Sequence, residues 1–322
     1  MWISIKKEAM TVAKSNSERF YEGFQRFLAQ SGHEQPTDGE MDALLQEYVK
    51  LMNEDSPLLA SMAEEESADA FLDRAQEAKS QRERLKWIRK AREIEPDHVD
   101  AALAEIEMTA KNPYEEEMLL CELQQKAEKQ LREQGDFCKE TVGDFWLIVE
   151  TRPYMRVCHA YVETLLMNRK MRLAAKECES MLRLCSRDNL GIRYTLIHIY
   201  AYLEEEKAAQ KIFKKYHGVE ETRLPLAMAL LSYKLGKEEA ARRYLQVLLD
   251  NTTDVKKFFS AYGTKKMETY IETLSSYGYR PHTMEELFLI FTDHLYAYGD
   301  APAFFFWAKM VLRGMKRSAG KG

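Results

Sequence analysis

Glycine and proline are scarce in this chain, with 14 and 8 residues among 322. Since all-β folds need many turns built from these two residues, the scarcity argues against them and favours helices with short connections. Long apolar runs are also missing: the longest, such as 287–291, are near five residues, against the ~18 that a membrane-spanning helix needs. The sequence therefore predicts an all-α protein that does not enter a membrane.

Cysteine is rare, and the cysteines do not occur in closely spaced pairs. The five cysteines are an odd number and contain no C-x-x-C spacing, which argues against both a disulfide framework and a thiolate zinc site. The first five residues, Met1-Trp2-Ile3-Ser4-Ile5, give way at once to Lys6 and Lys7, so no apolar signal segment is predicted. Together these features predict a cytoplasmic protein.

Enzyme motifs are absent as well. No glycine-rich phosphate loop, H-E-x-x-H, G-x-S-x-G or EF-hand loop occurs. Cys158 and His159 are neighbours, and neighbouring residues on a helix point about 100° apart, so they cannot form a nucleophile–base pair. The seven histidines are scattered. The sequence predicts a protein without enzymatic activity, metal or cofactor.

Charge is divided unevenly along the chain. Residues 151–322 hold 28 basic and 19 acidic residues, whereas residues 1–150 hold 19 basic and 33 acidic ones. Two interpretations are open: two solvated surfaces of different charge, or a basic face in the second half that attracts an acidic partner. No dense Lys/Arg cluster occurs, so nucleic-acid binding is not predicted.

The central stretch repeats in pairs of helices. The pairs are 154–168 with 171–185, 189–203 with 205–217, and 223–235 with 237–250. Ala174 and Ala208 are 34 residues apart and Ala241 follows 33 later, each near the start of a second helix. A helix–turn–helix unit of 34 residues with a small residue at a close crossing is typical of tetratricopeptide (TPR) repeats.

Two further motifs carry this resemblance. Ala91 and Pro96 are spaced like the alanine and the terminating proline of a TPR, and Leu235-Gly236-Lys237 resembles a TPR inter-helix turn. The resemblance covers roughly residues 67–250 and implies a right-handed helical solenoid. Three segments are predicted on this basis: an N-terminal helical cap over 1–66, a TPR-like array over 67–250 and a C-terminal helical cap over 251–322.

The stretches 97–131, 143–146, 150–156 and 188–194 resemble an uncharacterised bacterial group of TPR proteins. That group is similar to the TPR region of the suppression of tumorigenicity protein family. A Cys-rich zinc motif that some of its members carry has no counterpart here. The resemblance implies a scaffold and no known activity.

The predicted binding residues lie on the first helices of the repeats, which line the concave groove of a TPR array. They are rich in arginine, suited to a carboxylate, and in tyrosine, which offers flat apolar area. The set is Arg152, Arg156, His159, Arg193, Tyr194, Tyr200 and Arg223. An alternative interpretation places Arg152 and Arg193 in salt bridges between repeats.

The predicted function is a non-enzymatic scaffold that holds a segment of another protein, of acidic character, in this groove. Binding is then expected to weaken with salt and to be lost in Arg156→Glu combined with Arg193→Glu, with the fold intact. Two other functions remain open: a regulatory peptide receptor whose solenoid changes curvature, and an enzyme with a site assembled from dispersed residues. The aromatic run 304–307 is either buried or partly a contact patch. The oligomeric state is not predicted.

Overall fold

The computed structural model describes residues 16–30, 38–53, 67–274 and 279–318. This part of the chain contains 17 α-helices and no β-strand, so the all-α prediction is confirmed. None of the helices described there is long and apolar enough to cross a membrane. Of the predicted N-terminal cap over 1–66, residues 1–15, 31–37 and 54–66 lie outside the described residues.

The chain divides into two compact units, Met1–Arg169 and Lys170–Gly322. The division falls between the two helices that the sequence pairs as 154–168 and 171–185. It follows contacts rather than repeats, so the predicted caps and array over 1–66, 67–250 and 251–322 stay a prediction.

Unit 1 contains seven described helices. They are α1 (Asn16–Gln30), α2 (Asp38–Asn53), α3 (Ala68–Glu77), α4 (Gln81–Ile94), α5 (Val99–Thr109), α6 (Pro113–Gln134) and α7 (Arg152–Met167). From α3 onward each helix packs against the next, and α5 also packs against α7. Ala68, Phe71, Ala91 and Ala101 form one of its core clusters. Alanines in such a cluster let helix backbones approach closely, as the sequence pattern at Ala91 predicts.

Unit 2 contains ten described helices. They are α8 (Met171–Leu184), α9 (Ile192–Leu203), α10 (Glu206–Lys215), α11 (Arg223–Lys234), α12 (Glu238–Asn251), α13 (Val255–Ala261), α14 (Lys265–Glu272), α15 (Met284–Asp293), α16 (Leu295–Tyr298) and α17 (Pro302–Gly314). The helix α9 packs against α8, α10 and α11, and α11 packs against α12. The predicted helix pairs are therefore helices with nearly the predicted bounds.

The last helices of unit 2 cover the first helices of its hairpins. The helix α16 packs against α9, and α17 packs against α11. Residues 224–232 of α11 are all buried, and Ser232 is the only polar residue among them. A helix that is apolar all round must be buried on all sides, and the C-terminal segment supplies the cover.

The aromatic run 304–307 is split between core and surface. Phe304 and Phe305 are fully buried, Trp307 is half-buried, and 57% of Phe306 is exposed. The rings of Phe305 and Tyr262 stack with their centroids 4.0 Å apart. Burial therefore applies to Phe304 and Phe305, and a contact patch at the exposed Phe306 stays a prediction.

The small residues at helix crossings are placed partly as expected. Ala174, Ala209 and Ala241 are fully buried, whereas Ala208 is half-buried. The structure therefore corrects the predicted position in α10 by one residue. The turn at Leu235-Gly236 is confirmed: Gly236 has φ of 69°, and the N–H of Lys237 donates to the carbonyl of Ser232.

We expect Ala209→Leu to destabilise unit 2 by on the order of 1–3 kcal/mol, because three added carbons overpack a closed crossing. Ala208→Leu is the matched control on the same helix and is expected to cost clearly less. Urea unfolding of the two variants beside wild type measures the difference. Equal costs for both would show that α10 does not cross its neighbour at Ala209.

Candidate partner-binding site

The seven predicted binding residues lie on three helices. Arg152, Arg156 and His159 are on α7 in unit 1. Arg193, Tyr194 and Tyr200 are on α9 in unit 2, and Arg223 begins α11. Two groups result, one in each unit: an arginine pair on α7, and an arginine–tyrosine stack at the amino ends of α9 and α11.

Arg156 is buried, and its guanidinium is held by two carboxylates. Its Nε and one Nη donate to both oxygens of Asp100 on α5, at 2.8 and 2.6 Å, and its other Nη donates to Glu18 on α1 at 2.6 Å. Only 2% of Arg156 and 1% of Glu18 are exposed. Burial by itself lowers the pKa of Arg156, but Asp100 and Glu18 outweigh it and raise that pKa above its usual value.

Arg152 shares Glu18 with Arg156. One oxygen of the Glu18 carboxylate faces Arg156, and the other lies 3.4 Å from an Nη of Arg152. The Nε of Arg152 donates to the carbonyl of Trp146 at 2.8 Å, and its guanidinium lies 5.6 Å from the Trp146 ring centre. One carboxylate thus bridges the two arginines predicted for this part of the groove.

The expectation that Arg156 lies open on a groove is corrected by this burial. A guanidinium removed from water is stable only with carboxylates beside it, and the fold supplies them from α1 and α5. The ion-pair interpretation of Arg152 is supported by Glu18, whose carboxylate lies 3.4 Å from its guanidinium. His159 is half-buried on α7.

In unit 2, two arginines and three tyrosines form a continuous stack. The Arg193 guanidinium lies 4.0 Å from the Tyr194 ring centre and 5.5 Å from that of Tyr216. The Arg223 guanidinium lies 5.1 Å from the Tyr194 ring centre on α9 and 5.2 Å from that of Tyr279. The order is therefore Tyr216, Arg193, Tyr194, Arg223, Tyr279, with each cation between two rings.

Each arginine of this stack also has two carboxylates nearby. Arg193 pairs with Asp188 at 2.9 Å and with Glu221 at 3.4 Å. Arg223 lies 3.4 Å from Glu286 and 3.8 Å from Asp293, both on α15. Four carboxylates around two cations leave no excess of positive charge, so the expected basic strip is not what the fold presents at this site.

Asp188 has two roles in this arrangement. Its carboxylate accepts from the backbone N–H groups of Ile192 and Arg193 at 2.6 and 3.0 Å, which caps α9. The same carboxylate pairs with the Arg193 guanidinium. Burial raises the pKa of Asp188, while its bonds from Arg193 oppose that rise. The cap therefore fixes the direction in which Arg193 leaves the helix.

The tyrosines differ in how they are held. Tyr194 is half-buried and donates its hydroxyl to Glu221, at 3.0 Å to the nearer oxygen. Burial raises the pKa of Tyr194 to about 12, with Glu221 adding to the rise and Arg193 opposing it. Tyr200 is buried and donates to Glu179 on α8 at 2.6 Å. Tyr200 thus joins two helices, and the expectation that it lies open on the groove is corrected.

Arg152 and Arg223 each follow a threonine at the start of their helix, giving two Thr-Arg motifs whose threonine side chains do not cap the helix. Thr151 and Thr222 are buried, and neither hydroxyl makes a capping bond. Thr151 donates to the carbonyl of Ile148, and Thr222 contacts the hydroxyl of Thr252 at 3.1 Å. In both motifs the buried threonine anchors the helix start, and the next residue is an arginine held by carboxylates.

Two buried histidines, His198 of α9 and His294, pack against each other close to the arginine–tyrosine stack. The rings of His198 and His294 lie parallel with centroids 3.8 Å apart. The Nδ1 of His198 is 2.6 Å from the Tyr194 carbonyl, which only accepts, so Nδ1 carries the proton. Its Nε2 then accepts from the Tyr298 hydroxyl at 2.8 Å. Burial, with a smaller contribution from Arg223, lowers the pKa of His198 to about 3, against the opposing effect of the Tyr194 carbonyl.

Several residues of the two groups were not found from the sequence. Glu18, Tyr216 and Tyr279 lie far along the chain from the arginines they contact, and no local pattern marks them. Asp188 could have been found, because its position before a helix and four residues from Ile192 identifies a capping carboxylate. Asp100 has no comparable signal.

No group of three or more His, Cys, Asp or Glu side chains within the described ranges is arranged to hold a metal ion. The five cysteines are free thiols. A comparison with protein-family models gives no match. Comparisons with curated proteins and with solved structures give no match either. The likeness to TPR proteins therefore rests on the sequence pattern and stays a prediction.

Proposed function

We propose that this protein is a non-enzymatic scaffold of TPR-like, right-handed helical repeats that binds a segment of another protein. Helix packing supports the repeat architecture. In both units a first helix packs on the following first helix as well as on its own hairpin partner: α5 on α7, and α9 on α11. Such packing places equivalent positions side by side, which is how a repeat protein builds an extended binding surface.

The arginine–tyrosine stack of unit 2 is the observation that carries the proposal. Tyrosine and arginine are the residues most enriched at binding hot spots, because they combine large flat area with directional polar groups. The stack is neither core nor open surface: the side chains of Arg193 and Arg223 are 19% and 12% exposed, and Tyr279 is 38% exposed. Its rings and cations are already held in place. The side chains of the stack therefore lose little conformational entropy when a partner binds.

The carboxylates around the stack determine what kind of partner fits. Asp188, Glu221, Glu286 and Asp293 already compensate both arginines, so general attraction of an acidic chain is weak at this site. Recognition then depends on shape and on stacking against Tyr279 and Tyr216. We therefore place the attraction of an acidic segment elsewhere in the molecule and assign to this stack a partner side chain that is aromatic or planar.

Photo-cross-linking tests the proposal in the native host. A benzophenone amino acid replaces Tyr279 in the full chain, and in a second variant it replaces Tyr114, which is 71% exposed on α6 outside the stack. Both changes keep an aromatic ring at an exposed position. We expect a discrete cross-linked protein from position 279 and none from position 114.

The outcomes separate the proposal from its alternatives. Equal or absent cross-linking at the two positions would contradict the assignment of the stack as a binding site. The mass of the adduct distinguishes a protein partner from a short peptide, the ligand of a regulatory receptor. A stacking requirement is confirmed if Tyr216→Ala reduces the cross-link at position 279.

A further inference from the structure

The helix α1 is joined to α2 by apolar contacts and to the rest of unit 1 by polar ones. Phe24, Phe27 and Leu28 of α1 pack with Leu44 and Tyr48 of α2 in one core cluster. All described side chains of that cluster, and those packed against it, belong to these two helices. The hairpin of α1 and α2 therefore has a core of its own.

The opposite face of α1 meets unit 1 through hydrogen bonds and ion pairs. Glu18 bridges Arg152 and Arg156 on α7, and the hydroxyl of Tyr21 donates to Glu150 at 2.7 Å. Arg26 lies 3.9 Å from Asp69 on α3. The hydrogen bond to Glu150, together with burial, raises the pKa of Tyr21 to about 12. Glu18 and Tyr21 are three residues apart, so they lie on one face of the helix.

The fit between α1 and this surface is loose. A cleft of about 310 Å³ remains between them, bordered by Tyr21 and Gln25 of α1 and by Asp69, His98 and Pro153 on the other side. His98 is fixed there, because its Nδ1 accepts from the N–H of Ala101 and its Nε2 donates to Asp69 at 3.0 Å. The cleft leaves part of α1 without close packing against this surface. The ion pairs and the hydrogen bond described above therefore position α1 there more than packing does.

We propose that this surface, formed by Arg152, Arg156, Asp69 and Glu150, is a second binding surface of the scaffold, and that α1 is its resident occupant. The external partner is a helix that repeats the pattern of α1: a carboxylate between the two arginines, a hydroxyl donor one turn later opposite Glu150, and a basic residue facing Asp69. It competes with α1 for the surface. The inference deepens the proposed function, on which it rests, by assigning to unit 1 a helical partner segment that carries this carboxylate.

The chemistry of the surface fits that partner. Arg156 keeps both bonds to Asp100 when α1 leaves, so the guanidinium stays oriented, while its third donor and Arg152 become available to a new carboxylate. Exchange of one glutamate for another leaves the number of ion pairs unchanged. A partner helix of the same pattern therefore replaces α1 without stranding a buried charge.

The test uses the full chain in three forms: wild type, Glu18→Gln and Arg19→Gln. Arg19→Gln is the matched control, since it removes a half-exposed pair with Asp73 from the neighbouring position of α1. The probe is a labelled peptide spanning residues 16–53, in which α2 covers the apolar face of α1. A second probe carries Glu18→Gln.

We expect the Glu18→Gln chain to bind the unmodified peptide about tenfold more tightly than wild type does, because its resident helix has lost the charge-assisted bonds. The Arg19→Gln chain should bind it like wild type. The modified peptide should bind the Glu18→Gln chain about tenfold more weakly than the unmodified one. Raising the salt from about 0.1 M to about 1 M should weaken the unmodified peptide more than the modified one, which keeps Arg19 and Arg26 but lacks the Glu18 carboxylate.

Equal binding of the two peptides, or no binding to the Glu18→Gln chain, overturns the inference. Hydrogen exchange on the Glu18→Gln chain gives an independent result: amides of α1 should exchange faster while those of α7 remain protected. Loss of protection in both helices would show that α1 is part of the fold and not an exchangeable occupant. Cross-linking at Tyr279 is unaffected by these outcomes, so failure here is distinguishable from failure of the scaffold proposal.

Discussion

Arg156→Met is expected to cost unit 1 about 3–5 kcal/mol, the usual loss when one member of a buried ion pair is removed. The side chain of Arg156 is 2% exposed, and its partners Asp100 and Glu18 are also buried. Methionine fills much of the space but leaves Asp100 out of water without its guanidinium partner and Glu18 with Arg152 alone. Hydrogen exchange of the α5 and α7 amides measures the loss and separates unit 1 from unit 2.

The matched control removes two opposite charges together. The double variant Arg156→Met, Asp100→Asn leaves Glu18 paired with Arg152 and is expected to recover most of the lost stability, because the neutral side chains need no buried counter-charge. A double variant as unstable as Arg156→Met would show that the loss came from packing. A single variant as stable as wild type would show that water reaches the pair.

The same ion pairs change the expected effect of a charge reversal at Arg156. Arg156→Glu would place a third carboxylate beside Asp100 and Glu18, so we expect it to unfold unit 1 rather than to remove partner binding alone. The expectation that the combined Arg156→Glu and Arg193→Glu variant keeps its fold is therefore withdrawn. Salt sensitivity of partner binding stays a prediction, now placed on the surface beneath α1.

The helices could be predicted because their signals are local. The spacing of apolar residues and the glycine turn at Gly236 are both within one hairpin, and α7 to α12 all begin and end within three residues of the predicted bounds. Ala208 and Ala209 show the limit of that precision. Both are small, and the pattern cannot decide which of two adjacent alanines faces the crossing.

For the candidate site, the sequence predicts the helical positions of the arginines but not the residues that pair with them. The first helices carry Arg152, Arg156, Arg193 and Arg223, and helix register is enough to place them in two groups. Their burial is decided by residues distant in sequence, since Glu18 lies 138 positions from Arg156. No periodicity encodes such a contact. Sequence position therefore identified the arginines but not the carboxylates that neutralise them.

The C-terminal helices illustrate the same limit. The face of α9 that a TPR pattern leaves open is covered here by α16, and His198 becomes a core residue. His198 is one of seven scattered histidines in the sequence. Only its contacts with His294 and Tyr298 distinguish it from the others, and these come from a segment about a hundred residues further along the chain.

This burial predicts how unit 2 responds to acid. The pKa of His198 is about 3 in the folded chain, well below its ordinary value of 6.5, so the folded state stays neutral where the unfolded state binds a proton. A lowered histidine pKa leaves stability unchanged above pH ~6.5 and removes about 1.4 kcal/mol for each pH unit below it, until the pH nears 3. Protonation would also turn Nε2 into a donor facing the Tyr298 hydroxyl, which now donates to it.

We therefore expect His198→Gln to be less stable than wild type at pH 7 but to lose less stability between pH 6.5 and pH 4. Glutamine does not titrate, and its side-chain oxygen still accepts from Tyr298. Hydrogen exchange of the α9 and α11 amides at several pH values measures both slopes, and the difference between the slopes isolates His198 from the carboxylates that titrate in the same range. The stacked ring of His294 and the nearby Arg223 are present in both chains, so they contribute equally. Parallel slopes for the two chains would mean that His198 takes up its proton in the folded state, and that the contact between α9 and α16 opens to water before unit 2 unfolds.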